Sequence, residues 1–364
     1  MRRPKPLLIL LFLVIVPALV LAAFGAVVVS SATARQAILT YGNREHFMVR
    51  QLISLAVAAA VAVIIARVGV IRLLRAAPVI FVATLLATLA VFVPGIGIRA
   101  AGASRWLHIG PFSGSPAPLL TFALGLLIAA WGGAEAARLP RRTLAVTLSF
   151  IAVLTLMVEP DFSAAGIALL VGCVGLGALG VAGWRLLPAA AALVLALVLV
   201  ASQFGYVGGR VRGFLTPERD RRGKGYEVLA LARASAAATP TGVGLGHGAA
   251  RRQLSSPGSD YVFAVINEEM GHLASTAVAV AWLCLGAAAV MAARRCQDKR
   301  LAAAALSSGM AMMAPAALHV AVCSGWVPII GVTMPFVSYD PAATVAAGAE
   351  LGVVASVTLS RREI

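Results

Sequence analysis

The chain has 364 residues, of which 60% are apolar and 12% are charged. A soluble domain of this length needs far more charge on its surface, so the composition predicts a polytopic membrane protein. The net charge of +16 is compatible with nucleic-acid binding. We expect none, because the basic residues lie in short clusters between apolar runs, as membrane topology requires. The four cysteines have neither metal-ligand spacing nor the pattern of a disulfide framework.

Apolar runs that approach the roughly 20 residues needed to cross a bilayer recur along the chain. The first, from Leu7 to about Val29, is longer than the apolar region of a signal peptide, so we interpret it as a retained helix. The runs lie near 7–29, 49–67, 77–96, 117–134, 143–158, 162–181, 185–204, 262–293, 302–324 and 342–359. They predict an all-α integral membrane protein, with one polytopic domain over residues 1–364 and about ten transmembrane helices.

The short connections between the runs indicate the orientation. With ten spans, their basic clusters all fall on one side of the membrane: Arg2, Arg3 and Lys5; Arg67, Arg72 and Arg75; Arg138, Arg141 and Arg142; Arg185; Arg294, Arg295, Lys299 and Arg300; Arg361 and Arg362. The positive-inside rule then places this side, and both termini, in the cytoplasm.

The segment 205–260, between the seventh and eighth predicted helices, lies on the opposite side in this topology. It carries eight Arg and one Lys, but long loops can translocate regardless of charge. Loops of this length are usually functional or disordered. Four glycines near residues 242–248 and the apolar stretch 228–234 favour a folded extracytoplasmic lid with short helices. We find no repeat typical of an inverted-repeat transporter.

Ionisable residues at membrane depth are costly, and each is a candidate for function. The candidates are Asp161 between the fifth and sixth runs, Asp260 where the long loop enters the eighth run, Glu268 and Glu269 two turns further on, and Arg105-Trp106 before the fourth run. If the eighth run is one continuous helix, at most one of the two Glu side chains shares a cavity with Asp260.

Two interpretations of Asp260 are open. It is a helix N-cap, or it is a functional carboxylate at the depth of the lipid headgroups, beside amides that favour anions. A lipid-linked pyrophosphate would lie at that depth, and the basic part of the long loop would receive it. The alternative for these basic residues is a solvated loop or a contact with anionic lipid. They are Arg210, Arg212, Arg219, Arg221, Arg222 and Lys224.

Five sequence blocks, in order along the chain, resemble those of the SEDS family (FtsW, RodA, SpoVE). The blocks are GASRWLHIG at 102–110, PD at 160–161, RVRGFLTPERDRRGKGYE at 210–227, GLG at 244–246 followed by DYVFAVINEEMG at 260–271, and PIIGVTMPFVSY at 328–339. No single block is decisive, but the set covers nearly the whole chain and lies on the predicted outer side.

The resemblance implies a peptidoglycan glycosyltransferase of the bacterial cytoplasmic membrane, which polymerises lipid II with a class B penicillin-binding protein in cell division or elongation. It implies that Asp260 is the general base on the acceptor sugar hydroxyl. Arg210, Arg212 or a divalent cation (Mg²⁺ or Mn²⁺) would stabilise the leaving pyrophosphate; no residue is a certain metal ligand. The expected substrate-binding residues are Arg105, Trp106, Asp161, Arg210, Arg212, Lys224, Glu268, Glu269, His319, Ser338 and Tyr339.

The chain departs from the family pattern at several polar positions. Pro118 and Thr121 replace an acid and a base, Gly258 replaces a His, Glu227 a Gln and His319 an Asn, and DPAA at 340–343 replaces Gly-Gly-Ser-Ser. Two explanations compete: an active enzyme in which Glu227, His319 or Asp340 compensates, and a catalytically weakened scaffold for a penicillin-binding protein. A flippase for a lipid-linked sugar is a third hypothesis. The clustering of ionisable groups near the outer side argues against an ion-coupled cycle.

Overall fold

The computed structural model describes residues 10–100, 103–109, 112–132, 152–156, 158, 161–220 and 223–360. They are mainly helical, and residues 152–156 are also helical. In chain order the α-helices with defined bounds are α1 (Val16–Tyr41), α2 (His46–Val68), α3 (Val70–Leu89), α4 (Ala117–Gly132), α5 (Phe162–Ala178), α6 (Gly183–Ser202), α7 (Gly205–Leu215), α8 (Lys224–Ala237), α9 (Ala250–Gln253), α10 (Val262–Glu269), α11 (Gly271–Arg295), α12 (Lys299–Cys323) and α13 (Pro341–Leu359).

Six helices among the described residues are long and apolar enough to cross a membrane: Phe12–Tyr41, His46–Val68, Val70–Phe92, Gly271–Arg295, Lys299–Cys323 and Pro341–Leu359. Helices α6 and α7 form a pair bent by 96°, and α4 and α5 are shorter apolar helices. The protein is therefore a multi-pass membrane protein, as predicted. The run near 143–158 lies largely outside the described residues, so the count of ten stays a prediction.

Several helices extend beyond their apolar runs. Helix α1 ends at Tyr41 rather than near residue 29, and α3 begins at Val70 rather than near residue 77. Only Gly69, with φ of 89°, separates α2 from α3, so Arg72 lies within a helix and not in a connection. Hydropathy marks the part of a helix that lies in hydrocarbon, whereas backbone hydrogen bonding continues into the polar region.

The predicted helix over 262–293 is wrong as a single element, because it breaks between α10 and α11. Gly271 has a φ of 83°, which a glycine adopts at little cost. Beyond the break, the N–H of His272 donates to the Thr239 carbonyl (3.0 Å) and the N–H of Leu273 donates to the Pro240 carbonyl (3.2 Å). The long loop thus supplies acceptors for amides that a continuous helix would have bonded internally.

A small antiparallel sheet, absent from the all-α prediction, follows α3. Its strands are β1 (Gly97–Ala100), β2 (Ala103–Ile109) and β3 (Phe112–Gly114), in the order β1-β2-β3. Strand β2 carries Arg105 and Trp106. A Cβ at Gly114 would lie 3.0 Å from the Cβ of Ala342, so β3 contacts the first turn of α13.

The segment 205–260 contains α7, a 3₁₀ turn at Pro217–Arg219, α8 and α9, which agrees with the predicted short helices. Below it, α12 packs against α4, α5, α11 and α13, and α13 also packs closely on α2. A Cβ at Gly348 or Gly352 of α13 would overlap the backbone of α2 at Ala58 or Ala62. Small residues therefore permit the close approach of these helices.

Candidate active site

A cavity of about 340 Å³ lies between strand β2, the loop before α10 and helices α4, α5, α12 and α13. This volume is at the lower end of the range for small-molecule sites. Arg105 and Trp106 of β2 line its mouth, and Asp161, Asp260 and Asp340 contribute carboxyl groups. The remaining wall is largely apolar, so the cavity combines an apolar lining with convergent charged groups.

Asp260 lies in the loop between α9 and α10 and is partly buried in the cavity wall. Its backbone N–H donates to the Ser256 carbonyl (3.0 Å). The residue that caps α10 is Tyr261, and no side chain forms a capping hydrogen bond there. The N-cap interpretation of Asp260 is therefore wrong, and its carboxyl is available to the cavity.

The surroundings of Asp260 make it a weaker acid than an ordinary aspartate. Burial raises the pKa of Asp260 to about 6. The negative charges of Asp340 and Glu227 act in the same direction, while a Ser259 hydrogen bond and the positive charge of Arg210 oppose the shift. Asp260 is therefore mostly ionised at neutral pH and accepts a proton readily, as a general base requires.

Ser338 and Tyr339 form hydrogen bonds with the backbone of the Asp260 loop. The Ser338 hydroxyl donates to the Ser259 carbonyl (2.6 Å) and accepts from the Met334 N–H (2.9 Å). The Tyr339 N–H donates to the Gly258 carbonyl (2.8 Å). Ser338 is fully buried and does not line the cavity, so its contacts position the loop.

Gly258 lies where this loop meets α1. A Cβ at Gly258 would overlap the methyl group of Thr33. The Thr33 hydroxyl donates to the Val29 carbonyl (2.7 Å), which directs the methyl group towards the loop. The backbone therefore approaches α1 too closely for the histidine of the family pattern to fit in this arrangement.

Glu227 links α8 to the same loop. Its carboxylate accepts hydrogen bonds from Lys224 Nζ (2.7 Å), from the Tyr261 hydroxyl (3.0 Å) and from the Ser255 hydroxyl. Burial alone would raise the pKa of Glu227, but the hydrogen bonds from Lys224, Ser255 and Tyr261 outweigh it and hold the pKa below its usual range. Lys224 thus pairs with Glu227 and does not line the cavity.

Two of the predicted arginines meet at Tyr206, on α7. Arg105 Nη2 donates to the Tyr206 hydroxyl (3.2 Å), and the guanidinium of Arg210 lies 5.4 Å from the centre of the Tyr206 ring. The second contact is a cation–π interaction. Arg212, by contrast, donates from Nε to the Gly208 carbonyl of its own helix (3.3 Å) and does not line the cavity.

Asp161 has both a structural and a cavity-facing role. It caps α5, because its Oδ1 accepts from the Ala164 N–H (3.1 Å) and the Ser163 hydroxyl (2.9 Å). It also lines the cavity, as Ser163 and Ala164 do. The acid expected from the sequence therefore reaches the site through a helix N-terminus.

Glu268 and Glu269 bind the long loop and not the cavity. Glu268 accepts from the N–H groups of Ala249 (3.0 Å) and Ala250 (2.8 Å), and Glu269 accepts from the Gly246 N–H (3.0 Å). Glu269 also accepts from the Ser31 hydroxyl of α1 (2.6 Å). Both residues are buried, and neither lines the cavity. The pair fastens residues 246–250 to α1 and to the break after α10.

His319 is fully buried on α12. The Phe263 N–H donates to its Nε2 (3.3 Å), and its Nδ1 lies 2.7 Å from the Val332 carbonyl. Both contacts are satisfied by a neutral imidazole that carries its proton on Nδ1. His319 therefore joins α12 to α10 and to the segment before α13, without lining the cavity.

Of the predicted site residues, the structure brings four to the cavity: Arg105, Trp106, Asp161 and Asp260. The other predicted residues do not line the cavity: Arg210, Arg212, Lys224, Glu268, Glu269, His319, Ser338 and Tyr339. Pro118, Thr121 and Asp340, which depart from the family pattern, also line the cavity. The sequence interpretation missed Glu350, an acid at the cavity floor on α13. A lone acid within an apolar run was the signal for it.

A divalent cation was expected from the resemblance alone. Among the described residues, no group of three His, Cys, Asp or Glu side chains is placed to hold a metal ion. The divalent cation therefore stays a prediction.

Comparisons with known proteins identify the family. The family model for cell cycle proteins of the FtsW/RodA/SpoVE type matches residues 11–363. A protein named probable peptidoglycan glycosyltransferase FtsW, from Idiomarina loihiensis, is 29% identical over 356 residues, which cover 95% of this chain and 86% of that protein. Peptidoglycan glycosyltransferase MrdB from Escherichia coli K12 is 27% identical, over 75% of this chain and 76% of MrdB.

Solved structures share the fold. The rod shape determining protein RodA of Thermus thermophilus has a TM-score of 0.69 and 22% identity, over 96% of this chain and 97% of RodA. A chain from a peptidoglycan synthase complex, described as coordinating polymerisation and crosslinking, has a TM-score of 0.74 and 23% identity, over 96% of this chain and 98% of that chain. The chain belongs to the FtsW/RodA/SpoVE family of cell cycle proteins.

Proposed function

We propose that this protein is a peptidoglycan glycosyltransferase that polymerises lipid II, with Asp260 as the general base. One observation carries the proposal: the Asp260 carboxyl opens into a cavity of about 340 Å³, and burial raises its pKa to about 6. Relatives named as peptidoglycan glycosyltransferases support the reaction class.

In the proposed step, Asp260 removes the proton from a sugar hydroxyl of one lipid II molecule. The hydroxyl oxygen attacks the anomeric carbon of the growing chain. A new glycosidic bond forms, and the bond from that carbon to undecaprenyl pyrophosphate breaks with its electron pair. A positioned base of this kind contributes typically about 10²- to 10⁴-fold to the rate.

The leaving pyrophosphate needs positive charge nearby. Arg105 lines the cavity, and Arg210 stacks on the tyrosine to which Arg105 is bonded. Arginine suits this role because its donors match phosphate oxygens in pairs. We assign Arg105 and Arg210 to the pyrophosphate. Arg212 and Lys224 are bonded to α7 and to Glu227, so we assign them a smaller share in binding.

Four further residues act by positioning the loops around the substrate. Ser338 and Tyr339 hold the Asp260 loop through its carbonyl groups. Glu268 and Glu269 fasten the lid segment 246–250. A general base must lie within hydrogen-bond reach of the proton it takes, so a shift of these loops reduces the rate without changing the chemistry.

The environment of the reaction is also a proposal. Basic clusters at one side of the spans support cytoplasmic termini and a cavity on the outer face of the cytoplasmic membrane. A class B penicillin-binding protein is the proposed partner. The structural similarity to a chain from a peptidoglycan synthase complex supports this partner. If the reaction uses Mg²⁺ or Mn²⁺, the cation would arrive with the pyrophosphate, since Mg²⁺ is commonly held by substrate phosphates and one or two carboxylates.

The experiment is lipid II polymerisation by the purified protein with its partner, comparing wild type with Asp260→Asn. Asparagine has nearly the same volume but cannot take up the proton. We expect polymer formation to fall by about 10²-fold or more, with unchanged thermal stability. If Asp260→Asn forms as much polymer as wild type, Asp260 is not the general base.

A scaffold function is the second candidate, and one observation favours it. Pro118 and Thr121 lie in the cavity wall where the family pattern has an acid and a base. If the cavity no longer catalyses, a deletion strain is rescued equally by wild type and by Asp260→Ala. Rescue by wild type alone rejects the scaffold.

A further inference from the structure

Glu350 is an acid in the middle of an apolar helix. It lies nine residues after Pro341, the first residue of α13. At about 1.5 Å per residue, this places it roughly 14 Å along the helix from the end that carries Asp340. The residue is 3% exposed and lines the cavity. The cavity therefore extends from the Asp260 loop deep between the helices, and Glu350 lies at its floor.

The walls around this floor are small and apolar. Ala343 and Ala346 lie on the same face of α13 as Glu350, and Ala311 and Pro315 of α12 complete the wall. The polar side chain of Thr121 is also present, but its hydroxyl donates to the Ala117 carbonyl of its own helix (3.0 Å). In the part of the chain that the structure describes, the Glu350 carboxyl has neither a hydrogen-bond nor an ion-pair partner.

An acid at this depth needs a physical explanation. A buried carboxyl without a partner costs free energy, and in a membrane helix the cost is larger still. A structural carboxyl is normally bonded to the protein, as Glu268 is to two backbone amides. The Glu350 carboxyl instead has no donor among the described residues and lines the cavity, so a ligand there would supply the donor.

We propose that Glu350 is a substrate-binding residue that holds a hydroxyl or amide group of the sugar headgroup at the cavity floor. This inference rests on the proposed function, which makes the cavity the site of a lipid-linked sugar. A neutral donor is favoured over an ammonium group, because desolvating a cation between apolar walls costs more than the ion pair returns. Glu350 thus extends recognition below the level of Asp260.

The first test compares Glu350→Leu with Glu350→Gln in lipid II polymerisation. We expect Leu to raise KM about 5- to 100-fold, the loss expected for one buried hydrogen-bonding group, with a smaller effect on kcat. Gln keeps a donor and an acceptor, so its KM stays within a few-fold of wild type. If the partner group were an ammonium, Gln would lose as much affinity as Leu.

Stability separates binding from a structural role. Replacing an unpartnered buried carboxyl with an apolar side chain of similar size is often neutral or stabilising. We therefore expect Glu350→Leu to unfold at the wild-type temperature or above it. Thr358→Val is the matched control, since Thr358 is a buried polar residue of the same helix that bonds its own Val354 carbonyl (2.8 Å). The control should keep the wild-type KM, and a lower unfolding temperature for Glu350→Leu contradicts the proposal.

A second test does not depend on turnover. Dicyclohexylcarbodiimide, an apolar reagent that adds to protonated carboxyl groups, is applied to the Asp260→Asn protein, and labelling of Glu350 is measured by peptide mass spectrometry. We expect lipid II to slow the labelling and undecaprenyl pyrophosphate without sugar to leave it unchanged. Equal protection by both lipids overturns sugar binding at Glu350.

The outcomes distinguish this inference from the proposed function. Normal polymerisation with an unchanged KM in Glu350→Leu rejects the role of Glu350 and leaves the enzyme assignment intact. Protection of Glu350 by lipid II, with no polymerisation by wild type, retains the binding site and rejects the reaction. Absence of both protection and polymerisation rejects the two together.

Discussion

Two pairs of acids lie beside apolar helices, and their surroundings are opposite. At the end of α10, Glu268 and Glu269 are buried and accept hydrogen bonds from the protein's own amide and hydroxyl groups. In the cavity, Asp260 and Glu350 have their carboxyl groups open to a ligand. An acid saturated by internal donors stabilises the fold, whereas an acid left open is available for binding or catalysis. Position in the sequence alone does not separate the two cases.

The largest expected difference between the two pairs is in stability. Glu268→Ala leaves the amides of Ala249 and Ala250 without acceptors, at about 1–3 kcal/mol each, so we expect the free energy of unfolding to fall by about 2–6 kcal/mol. Glu268→Gln keeps one acceptor oxygen and should lose less. Thermal and denaturant unfolding of the purified protein measure both. A loss for Glu268→Ala no larger than that for Glu350→Leu would remove the distinction between the pairs.

The pH dependence of polymerisation tests whether Asp260, one of the two cavity acids, acts as the base. Because the pKa of Asp260 is about 6, the base is protonated below this pH, and we expect kcat/KM to fall about tenfold per pH unit there. Asp340→Asn removes a negative charge that raises the pKa of Asp260, so the acid limb should move to lower pH. Asparagine also caps helices well, so α13 should keep its start.

Arg210→Gln should have the opposite effect to Asp340→Asn, because the positive charge of Arg210 lowers the pKa of Asp260. Removing this positive charge raises the pKa of Asp260, so the acid limb should move to higher pH. Shifts in the same direction for Asp340→Asn and Arg210→Gln would contradict the assignment of the limb to Asp260.

The membrane architecture was predictable because apolar run length follows from bilayer thickness. The break at Gly271 was not predictable, because the amides that follow it donate to the carbonyl groups of Thr239 and Pro240, about 30 residues away in sequence. The small sheet was also missed, because short strands between glycines have no clear periodicity. Local pattern thus predicts spans, while non-local hydrogen bonds decide where a span is interrupted.

The site residues that belong to a sequence motif were predictable. Those that reach the cavity through the packing of distant helices were less so. Asp260, Arg105 and Asp161 reach the cavity as expected from the resemblance. Glu268 and His319 have the residue types expected of a site, but loop amides and backbone groups occupy their polar atoms. Glu350 was recognisable in principle as a lone acid in an apolar helix. Its neighbours on α4 and α12 come from distant parts of the chain.

The smallest predicted effect concerns the close contact of Gly258 with Thr33. A methyl group added by Gly258→Ala overlaps the Thr33 methyl group, and overpacking of this kind typically costs about 1–3 kcal/mol. Thr33→Ser removes the obstructing methyl group and keeps the hydroxyl that bonds the Val29 carbonyl. The double variant should therefore recover most of the stability lost in Gly258→Ala.

Gly177→Ala on α5 is the control for this cycle, since a Cβ at Gly177 meets no atom within 4 Å. It should be neutral or stabilising by up to about 1 kcal/mol, because alanine has the higher helix propensity. Unfolding of the four proteins in one detergent measures the coupling between residues 33 and 258. Additive effects would mean that the Asp260 loop does not rest on α1, and that its contacts with Glu227, Ser338 and Tyr339 hold it in position.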